Sequence, residues 1–460
     1  MSVCIDKSGA KLEHVRRVIR EAPLVALRQE LTDRDIWEAC RACGYRFRRR
    51  RYDPVVTVFH FLVQAVQREE SFAATWQDLW APLAAACPEL DLARSDQSGL
   101  AHARRRLPRA VMERLARQAC AESQRVPTER WRGFRLYALD GSTVSMPRQA
   151  ELFGHFGAHR ARSTTVRYPL ATFAMLLEVD PCLIRDYRVG PFDPGEDKTC
   201  RPLLAHLGPG DLLLAGRGFA GSPTLARIKA RGADFLMRKN ARLIVQRLPV
   251  IERLARHDVI TEIPMSKPAR KSDPSLPKTV RVRLFKARWT TPAGETLTEW
   301  FVTSLHDARR FKKRTLAKLY HQRWRIETSY LEFKQVFHAD VLRSKTVDNI
   351  YKEFAAHVLA YQLVRRVIHA AARKHRKKPT EISFLNAARW VMAFSHRMAA
   401  AASLRLPFLY DRLLDAVAST PVDIRPGRLE PRAISREWKH YPHLRTSRAE
   451  WRQQRLAGTG

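Results

Sequence analysis

Apolar positions along the chain change their spacing twice. Up to about residue 130 they recur at helical intervals in long segments. VVTVFHFLVQAVQ (Val55–Gln67) is apolar almost throughout, and Ala84–Leu90 closes another helix at a proline. From Phe134 the apolar runs shorten to strand length. FRLYALD (Phe134–Asp140) reads as a strand ending on an acid, followed by Gly141-Ser142-Thr143. TFAMLLEV (Thr172–Val179) and CLIRDYRV (Cys182–Val189) read as two strands joined at the turn pair Asp180-Pro181. EDKTCRPLLAHL (Glu196–Leu207) predicts a helix and DLLLA (Asp211–Ala215) a buried strand. Ser222 as cap, Pro223 at the first helical position and Gly232 as stop bound another helix, and ADFLMRK (Ala233–Lys239) a further strand.

The order is strand, strand, strand, helix, strand, helix, strand: hairpins first, then crossovers. It predicts an α/β chain with a ribonuclease-H-like core. The closing helix of such a core is delayed by basic, strand-like pieces, KTVRVRLFKARW (Lys278–Trp289) and TLTEWFVTSL (Thr296–Leu305), with a proline-rich loop at Lys267–Lys278. The expected organisation is a helical, basic N-terminal DNA-binding region (1–130), a core in two parts (131–240 and 311–375), a β-rich insertion (241–310), and a helical C-terminal region with a basic tail (376–460).

A long helix is expected from near Lys312, containing YHQRWRIETSYLEFK (Tyr320–Lys334). At about 100° per residue, Tyr320, Arg323, Glu327 and Lys334 fall within an arc of about 60°. Ile326, Tyr330, Phe333 and Phe337 form an adjacent apolar stripe. The expectation is an apolar face on the core and a polar stripe facing outward.

Charge narrows the partners. Lys and Arg number 83 against 46 Asp and Glu, a net charge of +37. Self-repulsion on this scale suits a polyanionic partner, and the spread of the excess favours nucleic acid over a membrane surface. No apolar run approaches the length of a spanning helix, and MSVCIDKSGAKLEH lacks the apolar core of a signal peptide. The basic clusters Arg46–Tyr52, with Arg48, Arg49 and Arg50, and Ala103–Pro108, with Arg104 and Arg105, are either solvated helix faces or phosphate contacts. Seven scattered cysteines suit reduced thiols in a cytosol. Cys40-x-x-Cys43 has no second pair at zinc spacing, so ordinary helix positions are preferred.

The spacing Tyr-x2-Arg-x3-Glu-x6-Lys over Tyr320–Lys334 resembles the YREK motif of the DDE transposases of the bacterial insertion-sequence-four family. Asp140 in LDGSTVSMP matches the first acidic position and Glu327 the third. The tail RPGRLEPRAISREWKHYPHL (Arg425–Leu444) resembles that family's C-terminal stretch, with Ser435 and Glu437 where basic residues are common. The resemblance implies binding to the terminal inverted repeats of a transposon, metal-dependent DNA cleavage and strand transfer, and a dimeric synaptic complex. Three carboxylates would hold two divalent metals, magnesium with manganese as a replacement. Arg323, Lys334, Arg217 and the Tyr320 hydroxyl would contact DNA. Trp289, Trp300 and Trp324 are possible stacking groups for an unpaired base, although core packing is preferred for each.

The second acid is missing. The family pattern Asp-Arg-Gly-Phe is here Gly216-Arg217-Gly218-Phe219. Asp211 lies at the far end of the same strand, about 16 Å away at ~3.3 Å per residue. Asp193, Glu196 and Asp197 precede the preceding helix and are expected to emerge far from the tip. Three readings follow: a transposase lineage impaired by Gly216, an active transposase that fills the gap with another acid or a water, or a non-catalytic DNA-binding descendant. A cytoplasmic, nucleoid-associated location goes with all of them.

Overall fold

The structure is a computed structural model and describes residues 25–47, 52–67, 72–77, 97–158, 168–192, 197–290, 296–399, 403–422, 450 and 453. The Ala84–Leu90 helix, the arginines Arg48, Arg49 and Arg50, Asp193, Glu196 and the tail Arg425–Leu444 lie outside the described residues.

The N-terminal region contains α1 (Asp33–Ala42), α2 (Pro54–Val66), α3 (Gln97–Arg106) and α4 (Arg109–Glu122). Asp53 caps α2 by accepting the Val56 N–H at 3.0 Å, and Pro54 fills a position that needs no donor. Every residue of α2 is buried, which explains an apolar run with no polar face. The helix is wrapped on all sides.

The strands form one nine-stranded sheet in the order β3-β2-β1-β4-β5-β9-β8-β7-β6. Strand β1 (Arg135–Ser145) pairs antiparallel with β2 (Leu170–Glu178), which pairs antiparallel with β3 (Leu183–Pro191). On its other side β1 runs parallel to β4 (Asp211–Ala215), and β4 parallel to β5 (Asp234–Arg238). The strands β6 (Val250–Ala255), β7 (Asp258–Pro264), β8 (Thr279–Thr290) and β9 (Thr296–Thr303) continue this sheet, because β9 pairs antiparallel with β5. Buried Arg283 on β8 donates twice to Asp258 on β7 at 2.8 Å and to the Phe311 carbonyl at 2.8 Å. That fork fixes the chain just before the helix that follows.

One face of the sheet, carrying Leu136, Ala138, Leu212, Leu214, Leu236 and Phe301, packs in the main core with the helical segments after residue 312. The other, carrying Tyr137, Leu139, Leu213, Ala215 and Phe235, packs around α5 (Ser222–Ala230) and the Asp197–His206 segment. The long central helix α9 (Val347–Lys374) ties the N-terminal helices to the core. Its buried Lys352 donates to the carbonyls of Arg104 at 2.7 Å and Leu107 at 2.9 Å, capping the end of α3. Two further helices, α10 (Phe384–Ala399) and α11 (Leu406–Ala418), pack against α9.

Several local expectations are corrected. Strand β1 does not end at Asp140 but runs to Ser145, because Gly141–Ser145 pair with Leu170–Ala174. The Glu196–Leu207 segment keeps one α-turn (Asp197–Cys200) and then tightens to a 3-10 helix over Arg201–His206, where Pro202 has no N–H to give. Gly221, not Ser222, occupies the cap of α5, and no side chain caps it. The proline-rich loop opens with a short helix, Lys267–Ser272, capped by Ser266. The helix expected from Lys312 is broken. It comprises α7 (Lys313–Tyr320), a 3-10 turn at His321–Arg323, α8 (Trp324–Leu331) and a π-turn at Glu332–Val336. Counted in chain order, the Lys267–Ser272 helix is α6.

Candidate active site

The parallel register of β1 and β4 ends at Leu139 against Ala215. One step further sets Asp140 beside Gly216. Side chains alternate along strands, so Asp140 continues the face of Leu136 and Ala138, and Gly216 that of Leu212 and Leu214. Arg238 and Glu299 continue the same face on β5 and β9. The broken helix α7–α8 lies over this face.

Tyr320, the last residue of α7, is fully buried. Its hydroxyl donates to the Ala215 carbonyl at 3.3 Å, the residue before Gly216. The 3-10 turn then presents Arg323. One guanidinium nitrogen lies 3.8 Å from the Asp140 carboxylate and the other donates to Glu327 at 2.6 Å. The Arg323 side chain is only 9% exposed, against 28% for Asp140 and 32% for Glu327. Arg323 therefore joins the first and third acids of the motif. Its Nε is buried and has no hydrogen-bond partner.

Asp140 is fixed from both sides. Its Oδ1 accepts the Gly141 N–H at 3.0 Å. The Tyr330 hydroxyl donates to the Asp140 carbonyl at 2.6 Å and accepts the Met175 N–H at 3.2 Å. Asp140 and Met175 face each other across β1 and β2, so this hydroxyl bridges the two strands beneath the acid. Lys334, in the π-turn, donates to Ser142 Oγ at 2.6 Å, and burial lowers its pKa. π-Turns often widen helices at functional sites.

Gly216 has φ −69° and ψ 169°, extended backbone that any residue adopts. A Cβ built there meets nothing within 4 Å. The corner is open to a side chain and supplies no donor. Around it stand Arg217, 3.0 Å from Glu299, and Arg238, 3.1 Å from the same carboxylate. Asp211 sits at the opposite end of β4, where its carboxylate accepts the Gly208 N–H at 2.9 Å. Among the described residues no group of three or more His, Cys, Asp or Glu is placed to hold a metal ion. Two carboxylates already shared by one guanidinium do not fit a two-metal centre that takes three.

The structure revises several site expectations. The polar stripe faces the sheet rather than outward. Tyr320 is committed to Ala215, and its hydroxyl is not available to a phosphate. Arg104 is buried: it donates to Gln64 at 2.6 Å and lies 4.0 Å from the Phe61 ring, and burial pushes its pKa down to about 10. Arg105 is exposed. Trp300 and Trp324 are half-buried, and the Trp324 indole N–H is buried without an acceptor; the Trp289 side chain lies outside the described residues. Cys40 is buried in α1 and its thiol is pushed up to about 12 by burial, as an ordinary helix position requires. Tyr330 carried no sequence signal beyond its place in an apolar stripe. A buried tyrosine hydroxyl needs a partner, and that requirement was the available clue.

Comparison with known proteins bears on this geometry. The model of the family described as "Transposase DDE domain" matches residues 131–363. The chain belongs to this DDE transposase family. The matched span begins just before β1 and ends within α9, so it includes Asp140, Gly216 and the Tyr320–Lys334 segment. The chain is also 26% identical over 352 residues to the transposase InsG for insertion sequence element IS4 of Escherichia coli (strain K12), covering 75% of this chain and 77% of that protein. A cryo-EM structure of a piggyBac transposase synaptic complex with hairpin DNA aligns with a TM-score of 0.43 at 11% identity, covering 88% of this chain and 86% of that one. Among the described residues no helix is long and apolar enough to cross a membrane.

Proposed function

We propose that this DDE transposase binds the terminal inverted repeats of its element and that its DNA cleavage and strand transfer are impaired by Gly216. Asp140 and Glu327 are the surviving acids. The observation that carries the reading is their junction through Arg323, next in register to a glycine with room for a side chain. The strand order β3-β2-β1-β4-β5 supports a ribonuclease-H-like core at 131–240 and 311–375 interrupted by a β-rich insertion at 241–310; in this reading the helical region at 1–130 binds DNA and 376–460 is a helical C-terminal region.

The DNA backbone is gripped by basic groups around the site. Arg217 is half-exposed at the turn after β4, and Lys334 reaches the rim at Ser142. A groove of about 520 Å³ between α3 and the segment leading into α9 is lined by Arg105, Arg343 and Lys345. In a chain of net charge +37 these supply phosphate contacts whose strength falls with salt. The partners in this reading are double-stranded DNA and a second copy of the chain in a synaptic complex. The divalent ion of an intact family site is magnesium, with manganese as its replacement, and the location is cytoplasmic, at the nucleoid.

A second reading is favoured by the same glycine: a DNA-binding protein derived from a transposase that no longer cuts. The two are separated with duplexes carrying the element's own ends, incubated with Mg²⁺ or Mn²⁺. Slow cleavage abolished by Asp140→Ala supports the impaired enzyme. Binding without cleavage supports the derived binding protein. Failure to bind duplex DNA at low salt contradicts both.

A further inference from the structure

We propose that Arg323 is the resident counter-ion of this site and competes with divalent cations for Asp140 and Glu327. Its guanidinium spans the two acids, at 3.8 Å from one and 2.6 Å from the other. Arginine is always charged and offers five donors in a planar fork that suits carboxylates. Here it is almost fully buried, so moving it away means leaving a cation unpaired in a dry place. A divalent ion entering between Asp140 and Glu327 meets that charge directly.

Gly216 tips the competition. With an acid at that corner, three carboxylates would face one arginine, and two negative charges would remain for a metal. With glycine, two acids face Arg323 and one negative charge remains, while Glu299 on the neighbouring strand is held by Arg217 and Arg238. The buried Nε of Arg323 has no acceptor, and its 3-10 turn packs on β4, which ends at Ala215, the residue before Gly216. One donor of the fork is thus left over. Loss of one carboxylate halves the negative charge left over for a cation.

The inference rests on the assignment of Asp140 and Glu327 as the surviving acids, not on DNA binding. Its test therefore uses metal alone. Mn²⁺ is titrated calorimetrically into the full chain as wild type, Arg323→Gln and Arg323→Gln with Asp140→Asn, and melting temperatures are read with and without Mn²⁺. Arg323→Gln is expected to bind Mn²⁺ at least tenfold more tightly than wild type. Mn²⁺ should raise its melting temperature and leave that of the wild type unchanged, and Asp140→Asn should cancel both effects. Where Arg323→Gln fails to fold, Arg323→Lys, whose single ammonium cannot span both acids, should move affinity in the same direction. Equal Mn²⁺ affinity in wild type and the Arg323 variant overturns the proposal, whereas a failure to bind DNA leaves it untouched and contradicts only the function above.

Discussion

Arg104 and Arg105 are neighbours in a run of three arginines, yet their substitution should have opposite consequences. Arg104→Ala removes a 2.6 Å hydrogen bond to Gln64 and a guanidinium 4.0 Å from the Phe61 ring. Leaving the Gln64 oxygen without its donor costs about 1–3 kcal/mol, and losing a desolvated cation–π contact costs about 1–2 kcal/mol. Relief of the burial that lowers the Arg104 pKa offsets part of this. The net expectation is a loss of about 2–3 kcal/mol in urea unfolding, a large fraction of a domain's stability. Folded Arg104→Ala protein should bind duplex DNA with an unchanged salt slope. Arg105→Ala should leave stability within about 0.5 kcal/mol and reduce the slope of log K against log salt by about 1. Unfolding curves and fluorescence anisotropy over a salt series read both quantities. If Arg104→Ala lowers the salt slope while stability stays unchanged, Arg104 is a phosphate contact and the assignment of its burial to structure is wrong.

Two further substitutions probe the site and the helix behind it. Tyr320→Phe deletes the hydroxyl on the Ala215 carbonyl and should cost about 1 kcal/mol with no change in the salt dependence of DNA binding; a changed slope would restore the phosphate role. His357 on α9 is buried, and burial lowers its pKa to about 3. It stays neutral in the folded chain while the unfolded chain takes up a proton below about pH 6.5. Its contribution to stability is thus complete above pH 6.5 and is lost as pH falls toward 3, at about 1.4 kcal/mol per pH unit. His357→Gln should remove that much slope from unfolding free energies measured between pH 6 and pH 4.5, and an unaltered slope would show that His357 is protonated in the fold.

The arrangement of the candidate acids was legible because strand order and register carry it. Three strands of antiparallel type, then crossovers, bring the ends of β1 and β4 together, and a single missing carboxylate stands out in DLLLAGRGF. Other features were hidden for physical reasons. Gly141-Ser142-Thr143 has the chemistry of a turn, but pairing with β2 overrides it and carries β1 on to Ser145. The helical arc of Tyr320, Arg323, Glu327 and Lys334 assumed one uniform helix with one buried side. The 3-10 and π turns break that uniformity, and the polar stripe is itself buried at Tyr320 and Arg323 and half-buried at Glu327 and Lys334 because the helix lies over the sheet. Arg104 and Arg105 are identical as residues, so only packing separates the buried one from the exposed one. Tyr330 shows the reverse: its position in the apolar stripe was plain, while the use of its hydroxyl between Asp140 and Met175 depends on pairing no local pattern contains.

In the proposed function, one absent carboxylate, at a corner with space for it, separates this chain from an active site of its family. Gly216→Asp tests that claim most directly. The backbone at 216 is extended and a Cβ there meets nothing within 4 Å, so the variant should fold with stability equal to or slightly above that of wild type. Single-turnover cleavage of duplexes carrying the element's ends, in Mn²⁺ and Mg²⁺, should rise by at least tenfold in Gly216→Asp and vanish again when Asp140→Ala is added. A folded Gly216→Asp protein that cleaves no faster than wild type would contradict the claim.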